Sequence, residues 1–124
     1  MTCFTSDCFG APLPTAELAS GPDARDVPAE DLRAAQLLWA AVDSPWVHNV
    51  NTSDYLKSVR SLQALNPEVV LGTHLPPAAG IGDQLFDMLA AAPTSNPFVG
   101  PDQQALEAML AGFEPGPAPA VVGG

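Results

Sequence analysis

Positive charge is scarce in this chain. Arg25, Arg33, Lys57 and Arg60 are its only basic residues against fourteen acidic ones, giving a formal net charge of −10, and the four never gather into a patch. Nucleic acid and anionic membrane surfaces are held by clustered Lys and Arg, so both are poor partners for it. Cysteine is equally sparse: Cys3 and Cys8 sit too near each other and the N-terminus to staple a fold, and a reducing cytoplasm is the compartment expected. No apolar run approaches the ~20 residues that span a bilayer, and the first residues lack the basic start and apolar stretch of a secretory signal. A Gly-rich phosphate loop, a Ser-centred nucleophile elbow and a dinucleotide fingerprint are all wanting, which removes those three routes to chemistry. Histidine occurs only as His48 and His74.

What is present suits one small domain, since 124 residues with 47% apolar content can bury a core. Residues 1 to 6 read as a short strand, Asp7-Cys-Phe-Gly10 as the turn leaving it, and Ala11 to Val27, with Pro12, Pro14, Gly21 and Pro22, as loop. A strand at the very first residues is an arrangement expected of a truncated or split chain. Pro28 suits a first helical turn, and Leu32, Ala35, Trp39 and Val42 then recur at helical spacing until Asp43-Ser-Pro-Trp46 stops the helix. A second helix is expected from about Ser53 to Leu65, capped by Thr52 or Ser53, with Leu56, Val59 and Leu62 along one side. Glu68 to Thr73 is short, β-branched and apolar, hence a buried strand that delivers His74 at its end. Helices near 83–91, with Asp83 as a candidate cap, and near 101–112 follow. Residues 113–124 mix proline and glycine without a period, so the expectation there is a disordered tail. Two strands are little sheet for an independent α/β domain, because lone strands need neighbours for their backbone groups.

Two metal-capable side chains therefore fall at strand ends, Asp7 and His74, where open sheets bind ligands. One carboxylate and one imidazole are half a site, since catalytic zinc usually keeps three protein ligands. The wording around them adds to this. Phe4-Thr-Ser-Asp-Cys-Phe-Gly10, then Asp43-Ser-Pro-Trp46, then Tyr55 to Leu62, then Pro67-Glu-Val-Val-Leu-Gly-Thr-His-Leu-Pro-Pro77 resembles, in order and spacing, the second half of metallo-β-lactamase-fold proteins, over residues 2 to 80. The resemblance implies an α/β chain over residues 1–112, forming the second half of an αββα sandwich with short strands and about four helices. It implies metal-dependent hydrolysis of a small-molecule substrate at a site for two divalent ions, zinc foremost. Asp7 would take the bridging position and His74 that of the final ligand.

Ser6-Asp-Cys-Phe-Gly10 also resembles the aspartate segment of the di-iron oxygen- or nitric-oxide-reducing flavoproteins of that fold, which implies iron and a flavin partner instead; carboxylate and imidazole suit both metals. The His-x-His-x-Asp-His run of the family's first half is not in this chain, and His48, beside apolar residues, reads as a packed or surface side chain. The expected partners are thus a second copy or the complementary half that carries those histidines. The competing expectation is a non-catalytic acidic helical protein that uses its helices as an interaction surface. Cys8 reads as a packed thiol because no second histidine is placed to activate it. Trp39 reads as core, and Trp46, in a loop beside Pro45, as either core or pocket wall.

Overall fold

The computed structural model describes residues 1–113, so the expected disorder of residues 114–124 lies outside the described residues. Strand β1 (Thr2–Ser6) runs parallel to β2 (Val69–Gly72), and β3 (Ala78–Ala79) closes the other side of β2 antiparallel, in the order β1-β2-β3. Parallel neighbours need a crossover connection, and three helices supply it: α1 (Ala16–Ala19), α2 (Ala29–Asp43) and α3 (Thr52–Gln63). Helix α4 (Gly82–Ala91) follows the sheet and packs against α2 and α3, and α5 (Gln103–Gly112) comes last. Over the described residues the fold is thus α/β, with five helices and a small mixed sheet.

Local chemistry sets the helix starts. Asn51, rather than Thr52 or Ser53, caps α3, its Oδ1 accepting from the Asp54 amide at 3.1 Å. Thr15 and Asp102 cap α1 and α5 in the same way, while Asp83 lies inside the first turn of α4 instead of capping it. Pro28 stands just outside α2, where its lack of an N–H costs nothing. Short 3-10 segments at 24–26, 45–49 and 92–94 complete the connections. The first of these and α1 fall in the stretch read as loop, being too short to show a period.

The core lies between the sheet and the α2–α4 layer. Phe9, Leu32, Val70 and Leu85 are fully enclosed, and Phe9 meets Phe86 edge-on at 5.3 Å, which ties the turn after β1 to α4. Each such apolar side chain contributes about 1.5–3 kcal/mol through burial. Gln36 is buried with them, donating Nε2 to the Leu85 carbonyl at 3.3 Å. The buried face of α2 is Leu32, Ala35, Gln36, Ala40 and Ala41, so the expected stripe is corrected at two places: Val42 is 50% exposed and Trp39 is only half-buried. Ala40 is drawn instead into a second cluster with Val47 and Ala92. On α3 only Val59 is buried, with Leu62 outside. No residue of α5 is buried among the described residues, so its apolar positions Leu106, Met109 and Leu110 face outward. Strand β1 forms the edge of the sheet and presents Phe4 at 79% exposure.

Tyr55 fastens α3 to α4 by donating its hydroxyl to the Leu89 carbonyl at 2.8 Å. Burial, with a smaller contribution from Cys8, pushes its phenol up to about 12 from an ordinary value of 10.0. The unfolded chain therefore loses this proton first, and the stabilisation is full below about pH 10 and lost as pH rises towards about 12. Urea unfolding of wild type should show that alkaline decline, and Tyr55→Phe should flatten it; a parallel decline in both proteins would assign it to another group.

Candidate metal centre

Strand β1 ends with an irregularity. Its register with β2 slips between Phe4 and Ser6, and Ser6 takes a left-handed backbone with φ of 51°. That conformation costs a non-glycine residue energy, so surrounding contacts must hold it. They do: the Ser6 carbonyl accepts from the Thr73 amide at 2.9 Å, and the Thr5 hydroxyl donates to the Leu71 carbonyl at 3.3 Å. Gly72 permits the approach, because a Cβ there would sit 3.1 Å from the Ser6 carbonyl oxygen. Beyond the slip, the Ala11 amide donates to the His74 carbonyl at 3.1 Å. Two parallel strands are thus clamped side by side at the end where each releases a polar side chain.

The consequence is direct contact between Asp7 and His74. His74 Nε2 lies 3.2 Å from Asp7 Oδ1, both side chains being 51% exposed. The Thr73 hydroxyl donates to the same carboxylate oxygen. Trp39 borders the pair from α2: its indole Nε1 donates to the Asp7 carbonyl at 2.8 Å, and its ring stands 4.7 Å from the His74 imidazole at 45°. A cleft of about 360 Å³, walled by Leu13, Trp39, Thr73, His74 and Pro76, opens at this point.

The separation suits shared coordination. Donors about 2.1 Å from one zinc ion lie about 3.4 Å apart in a tetrahedron and about 3.0 Å apart at a right angle. The observed 3.2 Å falls between these. Asp7 and His74 are therefore spaced as two adjacent ligands of a single ion would be, and the Thr73 hydroxyl, bonded to the same Asp7 oxygen, would orient the carboxylate as outer-sphere groups do. They fit only as part of a ligand set, because among the described residues no three His, Cys, Asp or Glu side chains are grouped to hold a metal. His48, on the turn at 45–49, is half-buried, has no hydrogen-bond partner for Nε2 and does not line the cleft.

Cys8 follows Asp7 in sequence but serves another surface, a groove shared with α3. Burial of the sulfur, then negative charge at Cys3 and Asp43, pushes its thiol up from 9.0. A thiol held in its protonated form is a poor nucleophile.

Two members of the site escaped the sequence reading. Thr73 was signalled only by standing next to His74, and Trp39 carried a helical spacing that reads equally as core. Gly10 explains the second. A Cβ at position 10 would lie 2.4 Å from the Trp39 indole, so the turn after β1 can seat that ring only if residue 10 is glycine. Gly10→Ala should displace the indole and destabilise the fold by about 1–3 kcal/mol, as overpacking does. Urea unfolding, with the Trp39 indole N–H resonance as local probe, checks this; unchanged stability and resonance would unseat Trp39 from that role.

No family model, no curated protein and no solved structure matches this chain. What the site does must be read from its own residues.

Proposed function

We propose that this chain forms the second half of a metallo-β-lactamase-like αββα domain and supplies Asp7 and His74 to a divalent metal centre for hydrolysis. The observation that carries the reading is the contact of these two side chains, 3.2 Å apart, at the ends of adjacent parallel strands. In this reading His74 and Asp7 would hold one ion, and the Asp7 carboxylate would be shared with a second. The remaining donors come from a complementary, histidine-bearing segment. Zinc is the favoured ion, since an imidazole and a carboxylate fit its tetrahedral preference and the spacing lies within its range. The group supplies Lewis acidity and a water acidified towards neutral pH.

The chain's own residues have definable tasks. Thr73 fixes the Asp7 carboxylate through its hydroxyl, and Trp39 restrains both partners, holding the Asp7 carbonyl by hydrogen bond and standing against the His74 ring. Leu13, Trp39 and Pro76 exclude water from one side of the cleft and present an uncharged wall to a small-molecule substrate. The chain's net charge of −10 draws divalent cations towards it in general.

Zinc titration by calorimetry tests the assignment on the chain as it stands. Binding should be detectable, and Asp7→Asn and His74→Ala should each remove most of it. Thr73→Val, which keeps both ligands, should weaken it by about tenfold, the lower end for losing an outer-sphere partner. Metal content of chain purified alone and together with a co-expressed partner tests the completed site. No metal in either sample, or zinc binding indifferent to Asp7 and His74, would end this reading.

A further inference from the structure

A second cleft that Trp39 also lines lies between α2, α3 and the turn at 45–49. It encloses about 360 Å³, within the range of small-ligand sites. Its floor is apolar, with Val47 and Val59 buried, and its walls are aromatic: Trp39, Trp46 and Tyr55. Two of these rings have their polar atoms engaged elsewhere, since Trp39 Nε1 donates to the Asp7 carbonyl and the Tyr55 hydroxyl to the Leu89 carbonyl. Those two rings therefore have no free polar atom to offer a ligand in the cleft. Trp46 is 58% exposed in a chain that otherwise has only one other tryptophan.

One charge lines this cleft, and it is negative. Asp43 is the last residue of α2, where the helix dipole already carries partial negative charge and where no basic residue stands in the final turn. A carboxylate at that end is unfavourable for the helix. Among the described residues no Lys or Arg pairs with it; it accepts only from the neighbouring Ser44 hydroxyl, at 3.2 Å. Its field reaches the groove, as it helps hold the Cys8 thiol protonated. Aromatic faces, a carboxylate reinforced by a helix C-terminus and the absence of any lining cation make a surface complementary to one ligand class.

We propose that this cleft binds an organic cation: an ammonium group carried on a small apolar body, seated against Trp46 and Trp39 with its charge towards Asp43. The indole faces attract the cation through their quadrupoles, the apolar floor takes the body, and Asp43 supplies the counter-charge. The site goes beyond the metal reading and does not depend on it, although Trp39 forms a wall of both clefts.

Benzylammonium and benzyl alcohol, matched in size and differing in charge, serve as probes, with the two tryptophan indole N–H resonances as readout. Benzylammonium should shift the Trp46 resonance saturably, and benzyl alcohol should bind about tenfold more weakly, the factor expected of a partly desolvated cation–π contact with a carboxylate behind it. Asp43→Asn should shrink that difference to the smaller share the aromatic faces supply, and Trp46→Leu, read at Trp39, should weaken the cation. Asp7→Asn should leave cation binding unchanged, which separates this site from the proposed metal centre. Equal binding of the two probes, no saturable shift, or sensitivity to Asp7 with indifference to Asp43 would overturn the proposal. Circular dichroism of each exposed-site variant distinguishes lost binding from lost fold.

Discussion

The parallel pairing of β1 with β2 is the constraint on which the rest of the molecule depends. It is a pairing of residues 2–6 with residues 69–72, closed across more than sixty residues of intervening chain. Loop closure on that scale costs entropy that two short strands cannot repay by hydrogen bonds alone. The α2–α4 layer repays it through Leu32, Val59 and Leu85, and Phe9 against Phe86 fixes the turn that leaves β1. Once the register is set, the geometry at its end follows. The Ser6 slip, the bare Cα of Gly72 and the bond from Thr73 to Ser6 bring Asp7 beside His74.

Trp39 joins that strand end to the helical layer. The indole is neither a core residue nor a free surface one: it donates to the Asp7 backbone, borders the His74 ring and separates two clefts of different character. One cleft is walled by His74, whose imidazole touches the Asp7 carboxylate, the pair proposed to hold a metal ion. The other ends on a single carboxylate among aromatic rings, suited to an organic cation. Both favour positive species, as the charge of the whole chain does.

Much of the architecture was legible in the sequence, and the reasons are local. The apolar spacing of Leu56 and Val59 and the proline that follows placed α3 to within two residues, and the β-branched run before His74 marked β2. Asp7 and His74 could be placed at strand ends because strand and turn signals meet at those positions. Their contact could not be read, since it depends on which strands pair and in what register, and that is decided by packing between distant segments. Strand β3, two alanines after two prolines, carries no pattern at all. The stripe on α2 misled at Trp39 because helical spacing records which face is covered, not whether core or cleft covers it. Asp43 was legible only as part of the segment that stops α2, and its aromatic surroundings come from three separate elements.

The central claim is that Asp7 and His74 act as adjacent donors to one ion through the atoms that face each other here. Long-range nitrogen NMR of the histidine imidazoles during zinc titration tests it most directly. The account predicts that the His74 Nε2 resonance takes the metal-induced shift, that Nδ1 does not, and that Asp7→Asn removes the effect while His48 stays unchanged throughout. Coordination through His74 Nδ1, or a zinc response confined to His48, would contradict it.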